Sequence, residues 1–361
     1  MSTFGKAIEV SLFGESHGPG VGITIHNLPG GVAIDEKALA HSLRQRSPKR
    51  TYSTSRKEPD EFAIQSGVFK GKTTGAPLTF FIKNKAQKSE DYTEGLIRPG
   101  HADYPAYMRS EHYDYRGGGH FSGRLTAPLV LLGEICRTLL AKKGILIASQ
   151  IYRIHTVKGQ SFRDEDVNRE TLYSLLSSDF PVLSKKDGQR FEKKLAELRN
   201  EGDSGGGIVE TIVRDVPAGI GEPFFDSFES LLSHLMYSIP GVKGVAFGEG
   251  FDLASKKGSE SNDSLHYENG NVVFESNRMG GIQGGLSTGE DVCFETAFKP
   301  TPTHQKEQAT VNLKTEKNVK WRGNTRHDGS IVPRAVPVIN ALTAYAVVEL
   351  IARKEGCQWM L

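Results

Sequence analysis

Histidine stands beside glycine in two turns of this chain, Gly14-Glu15-Ser16-His17-Gly18 and Arg98-Pro99-Gly100-His101-Ala102-Asp103. It stands between arginine and aspartate in a third stretch, Arg326-His327-Asp328. An unperturbed imidazole titrates near pH ~6.5, so each can give or take a proton near neutrality. One such histidine alone is more often a hydrogen-bonded loop residue. Their recurrence in separate loops of one character points instead to acid–base chemistry. Arginines cluster in the same kind of setting: Arg44, Arg46 and Arg50, then Arg98, then Arg116 and Arg124 at the ends of RGGGHFSGR. Arginine offers a fixed fork for phosphate or carboxylate. Glycine lets backbone N–H groups approach an anion closely. RGGGHFSGR also runs into a helix expected from about Thr126, whose N-terminus favours phosphate. MGGIQGG, residues 279–285, is a further glycine-rich loop without charge. Together these loops suit one or two small polyanionic ligands. The Arg44–Arg50 run fits a solvated helix end equally well.

Three fragments suggest other chemistry and lack its context. Gly14 to Gly18 has the Gly-x-Ser-x-Gly spacing of a nucleophile elbow, but such an elbow needs a helix after the serine. Here Pro19-Gly20 and a strand-like VGITI follow, so Ser16 is a poor nucleophile candidate. Gly202-Asp203-Ser204-Gly205-Gly206 looks like a trypsin-type serine stretch, yet it follows a charged helix in a cysteine-poor chain and reads as a turn. Gly71-Lys72-Thr73 lacks the glycine that a phosphate-binding P-loop requires at position 66, which is serine. No His-Glu-x-x-His and no Cys/His pair at ligand spacing indicates a metal site.

The elements that must position these loops follow from periodicity. Residues 7–13 and 21–25 read as strands, 35–46 as a helix capped by Asp35, and 62–69 and 78–83 as strands. Residues 84–124 read as one long loop, a length that is usually functional. A helix is expected over 126–143, a strand over 145–153, a helix over 187–201 and a strand over 207–215. Asp226 with Glu229 suggests a capping box for the next helix. Strands are expected at 243–250 and 290–298, and a last helix, apolar nearly all round and so buried, over 334–354. Strands and helices interleave without a regular βαβ rhythm, which favours a single α+β domain over residues 1–361. The formal net charge of +2 gives no global field for nucleic acid or an anionic membrane. No uninterrupted apolar run approaches the ~20 residues that span a bilayer. Three scattered cysteines and no evident signal peptide suggest the cytoplasm.

The loops, in order, resemble the chorismate synthase family. The matching stretches are GESHGPGVG, SGVFKGKTTGAP, RPGHADY, DYRGGG, EGDSGG, VPAGIGEPFFD, VKGVAFGEGF, GGIQGG, Lys299-Pro300-Thr301 and RHD with RAVP at 326–337. Any one is weak; the ordered set is specific and spans nearly the whole chain. The resemblance implies a β-α-β sandwich, with helices between two mostly antiparallel sheets, assembled as a homotetramer. It implies a 1,4-anti elimination of phosphate from 5-enolpyruvylshikimate 3-phosphate to give chorismate, the last step of the shikimate pathway. Reduced FMN is required without net redox change, supplied with NADPH or by an external flavin reductase.

The resemblance also implies residue roles. His17 matches the histidine that protonates the departing phosphate, His101 the one that keeps the reduced flavin correctly protonated, and Asp328 the aspartate that helps remove the C6 proton. Arg46, Arg50, Arg98 and Arg124 match contacts to substrate or nicotinamide-nucleotide anions. FMN would be held by His120, Phe121, Ser122, Pro240, Gly241, Gly284, Lys299, Pro300, Thr301, Pro302, Thr303 and Arg326. Two stretches depart from the family pattern. Where many members have RGGGRSSARET, this chain has RGGGHFSGRLT, and the common RHDPC is Arg326-His327-Asp328-Gly329-Ser330. His120 thus replaces an arginine in the implied flavin site and would carry charge only when protonated. The rival readings are a flavin-binding relative without this turnover and a serine hydrolase using Ser16.

Overall fold

The computed structural model describes residues 2–47, 60–85, 87–164, 167–323 and 329–361. Two five-stranded antiparallel sheets dominate it. The first runs in the order Thr3–Phe4, Val10–Gly14, Gly20–Ile25, Leu78–Lys83, Phe62–Ser66. The second runs Val242–Phe247, Val292–Phe298, Gly207–Arg214, Leu146–Ile154, Val157–Lys158. Helices Thr126–Lys142 and Val332–Glu355 pack against each other between the sheets; the former lies on strands Gly20–Ile25 and Leu78–Lys83, the latter on Leu146–Ile154 and Gly207–Arg214. Alternate residues of the first sheet (Val21, Ile23, Ile25; Leu78, Phe80, Ile82) enter the core, as period-2 burial requires. The expected α+β sandwich is the fold observed.

The two central helices cross closely because Gly133 faces Ala341. A Cβ added at Gly133 would lie 2.1 Å from the Ala341 Cβ. Helix Val332–Glu355 is long and apolar enough to cross a membrane by composition, yet it is buried between the sheets. Its one buried acid, Glu349, accepts backbone N–H groups from Lys6 (2.6 Å), Ala7 (3.0 Å) and Ile8 (2.7 Å) and the Arg353 Nε–H (2.9 Å). Tyr345 donates its hydroxyl to the Ile8 carbonyl at 2.6 Å, and burial first of all pushes its pKa up. The N-terminal segment that leads to His17 is therefore tied to the last helix.

Several expectations need correction. The helix Phe228–Ser238 is capped by Ser227, whose side chain accepts from the Ser230 N–H; Asp226 instead pairs with Lys6 and Arg353. The loop expected over 84–124 contains the helix Asp103–Arg109. The strand expected over 62–69 breaks after Ser66, where Gly67 takes φ +89° and a short hairpin pairs Val68–Phe69 with Lys72–Thr73. In that hairpin Thr73 is buried, accepts from the Val32 N–H and donates to the Pro29 carbonyl, which disposes of a nucleotide loop there. The helix Arg169–Ser177, which buries Leu172 and Leu175, was not expected, and the hairpin of Gln308–Asn312 with Lys317–Trp321 has too little apolar periodicity to be read in advance.

Candidate active site

His17 sits in the turn between antiparallel strands Val10–Gly14 and Gly20–Ile25, with Gly14 paired to Val21. A strand therefore follows Ser16, not the helix of a nucleophile elbow. Ser16 is buried, and its N–H donates to the Gly119 carbonyl at 3.1 Å. Ser204 donates its hydroxyl to the Thr301 carbonyl at 2.7 Å. Neither serine is arranged as a nucleophile. The turn itself is held by Asn84, whose Nδ2 donates to the carbonyls of Glu15 and Gly18, both at 2.9 Å. Gln87 Nε2 adds a third bond, to Gly18, at 2.7 Å.

The buried His17 ring packs against Arg116–Phe121. Gly117, Gly118 and Gly119 all have positive φ (60°, 82° and 51°), which only glycine adopts cheaply. At Gly117 an added Cβ would fall 2.3 Å from His17 Cε1 and Nδ1, so the close approach also demands glycine. On another side Tyr92 meets the His17 ring edge-on, with centroids 5.1 Å apart. The face of Tyr92 carries the Arg98 guanidinium 5.2 Å from its centroid. Arg98 is held by both oxygens of Asp103, Nε to Oδ2 at 2.7 Å and Nη2 to Oδ1 at 2.8 Å. Burial opposes its charge, but Asp103 outweighs it and holds the guanidinium pKa above its ordinary value.

His101 lies in the same loop. Its Nδ1 is 3.1 Å from the Pro99 carbonyl and its Nε2 2.8 Å from Thr303 Oγ1. A carbonyl can only accept, so Nδ1 carries the proton and Nε2 accepts the threonine hydroxyl. Burial, then the nearby Arg98 charge, lowers the His101 pKa to about 4, so the ring is neutral at pH 7. Trp321 closes over its edge, with centroids 6.1 Å apart. The unforeseen hairpin Gln308–Trp321 carries that tryptophan and fixes the loop, because the Ile97 N–H donates to the Val311 carbonyl at 3.1 Å.

Of the residues expected at a flavin, Lys299 to Thr303 lie against this histidine loop. Lys299 Nζ donates to the Gly100 carbonyl, and Pro302 packs on Gly100. Gly241 is adjacent, its carbonyl accepting the Lys299 N–H at 2.9 Å, while Pro240 is exposed. Burial, then the like charge of Lys243, lowers the Lys299 pKa. Ser122 caps the turn Gly123–Leu125 by accepting from the Arg124 N–H. Phe121 is 45% exposed, and Leu125 enters the core. His120 is tied on both ring nitrogens, to the Gly14 carbonyl and to Ser2. Gly284 lies elsewhere: its hairpin, Ile282–Gln283 with Leu286–Ser287, joins the 220–228 segment through Gly285 and Ser287.

Arg46 and Arg124 converge on one buried carboxylate, Asp60. Arg124 Nη1 pairs with Asp60 Oδ1, and Arg46 Nη1 lies 3.4 Å from Oδ2. Arg46 further donates to Thr126 Oγ1 (2.8 Å) and the Gly123 carbonyl (2.7 Å), and Arg124 to Asn84 Oδ1 (3.0 Å). Both guanidinium groups thus meet beneath the start of helix Thr126–Lys142. Arg50, Arg326 and Asp328 lie outside the described residues. Reasoning from sequence missed Tyr92, Asp103, Asn84 and Asp60. Asp60 was hidden at the end of a basic run that reads as solvated, and Asn84 gave no signal at all.

Known proteins share this chain's pattern throughout its length. The family model described as chorismate synthase matches residues 8–352. The chain is 42% identical to the chorismate synthase of Pyrococcus abyssi over 351 residues, 96% of each chain. It is 41% identical to that of Aeropyrum pernix, covering 98% of this chain and 93% of the relative. It is 38% identical to that of Phocaeicola vulgatus, covering 96% and 97%. A crystal structure of chorismate synthase superimposes with a TM-score of 0.77 at 26% identity, covering 98% of this chain and 94% of the other. With the histidine, arginine and glycine loops gathered on one scaffold, the chain belongs to the chorismate synthase family.

Proposed function

We propose that the chain eliminates phosphate from 5-enolpyruvylshikimate 3-phosphate to give chorismate, a carbon–oxygen lyase reaction run with reduced FMN. The observation that carries the proposal is the run of contacts from His17 through Tyr92 and the Asp103-held Arg98, whose carbonyl accepts the His101 N–H, to Thr303. Two histidines from separate loops thereby share one neighbourhood with anion-binding groups. The residues present fit a phosphate-bearing flavin. Lys299 and Lys243 repel each other beside the His101 loop, and an anion would relieve that repulsion. Above Gly118 an added Cβ would meet nothing closer than 3.9 Å, so backbone there is open to a ligand.

In this reading His17 gives its proton to the phosphate oxygen as the carbon–oxygen bond breaks. Asp328 takes part in removing the C6 proton, and the electrons of that C–H bond complete the new double bond. His101, neutral at pH 7, adds no charge and offers Nε2 as an acceptor that Thr303 can satisfy or release. Arg46, Arg124 and Arg98 offset the substrate's phosphate and carboxylates, already aligned by Asp60 and Asp103. Arg50 belongs with these anion contacts, and Arg326 with the residues that would hold FMN. When bound, reduced FMN supplies electron density to a ring made electron-poor by phosphate departure. The reduced flavin comes from NADPH or from a separate reductase. The enzyme acts in the cytoplasm as a homotetramer, a state supported by aromatic side chains left in solvent: Phe224 at 86%, Phe225 at 94% and Phe251 at 88% exposure.

His17→Ala tests the role at the centre of this reading. Turnover should fall about 10²–10⁴-fold, the loss typical of a positioned acid, while FMN still binds. An unchanged rate in steady-state assays would remove His17 from the chemistry.

A further inference from the structure

We infer that His120 is a positioning residue, a clamp between the N-terminal strand and the His17 turn, and makes no contact with a ligand phosphate. An imidazole has two ring nitrogens with which to hydrogen-bond. Both are used here. Nδ1 lies 2.8 Å from the Gly14 carbonyl, and Nε2 lies 2.7 Å from Ser2 Oγ. Because the carbonyl can only accept, Nδ1 donates to it, while Nε2 pairs with the serine hydroxyl. Ser2 is fixed in turn, since its own carbonyl accepts the Leu12 N–H at 2.8 Å. Immediately alongside, the Ser16 N–H donates to the Gly119 carbonyl at 3.1 Å.

Two hydrogen bonds of opposite direction thus stitch the glycine loop to the His17 turn, from His120 to Gly14 and from Ser16 to Gly119. The Ser2 hydroxyl holds the ring in the orientation that the first bond needs. The glycine loop has no freedom to drift from His17, because Gly117 already sits against the ring. Losing the clamp would loosen His17.

The test uses the full chain with His120→Leu and Ser2→Ala, the second being an exposed serine whose replacement leaves the core intact. Amide hydrogen–deuterium exchange over residues 13–17 should rise about tenfold in both variants. Affinities for FMN and for riboflavin, which lacks the phosphate, should change by one common factor, leaving their ratio within about twofold of wild type. Unchanged exchange in both variants would overturn the clamp. So would a His120→Leu variant that loses tenfold or more in FMN affinity while riboflavin binding stays the same, since that marks a phosphate contact. The flavin comparison rests on the proposed function. If wild-type protein binds neither flavin, that reading fails and the exchange measurement still decides the clamp.

Discussion

At the scale of the residue, His101 makes the sharpest claim about protonation. Its folded pKa is about 4, through burial first and the Arg98 charge second, whereas an unfolded histidine titrates near pH ~6.5. Between those values the unfolded chain binds the extra proton, so stability rises with pH. The stabilisation is complete above about pH 6.5 and is lost as pH falls toward 4, on the order of 3 kcal/mol in all. Urea unfolding at pH 7 and pH 5 should show this loss in wild type and a smaller one in His101→Asn, which keeps a donor for the Pro99 carbonyl. Equal losses in both would mean that His101 is charged in the folded protein. The histidines and arginines were legible in the sequence because their residue types announce chemistry. Their partners were not. Asp103 read as one more loop residue, and Tyr92 and Asn84 act through geometry that only the folded chain supplies. His120 was legible as a departure from pattern, but the engagement of its two ring nitrogens by Gly14 and Ser2 was not.

At the scale of the element, the site depends on how closely two helices cross. Gly133 lets Thr126–Lys142 meet Val332–Glu355 at Ala341 with no room for a methyl group. Gly133→Ala should therefore cost about 1–3 kcal/mol by overpacking, despite the better helix propensity of alanine. Gly133→Leu should prevent stable folding. Thermal melts check both, and a Gly133→Ala protein as stable as wild type would mean the helices can move apart freely. The long helices and most sheet strands were legible because their apolar periods are strong. The helix Asp103–Arg109 was not: at seven residues it offers too few turns to establish a period. The hairpin that carries Trp321 alternates polar residues on a half-buried surface, so its role in seating the His101 loop appears only in three dimensions.

At the scale of the whole molecule, the sandwich works as a frame. The first sheet holds the His17 turn, the second ends near Lys299, and the buried helices fix the distance between them. Glu349 and Tyr345 extend the frame by tying the N-terminal segment to the last helix. That helix was legible as buried because it is apolar nearly all round. Its acid Glu349 was not legible as an anchor, since nothing local shows that three backbone N–H groups come to meet it. The frame exists to let one elimination proceed, and that reaction tests the account most directly. Under anaerobic conditions the full chain is mixed with dithionite-reduced FMN and 5-enolpyruvylshikimate 3-phosphate, and chorismate absorbance is followed together with free phosphate. The account predicts both products in equal amounts, with no net consumption of reduced flavin. Phosphate without chorismate, or neither product while FMN remains bound, would contradict it.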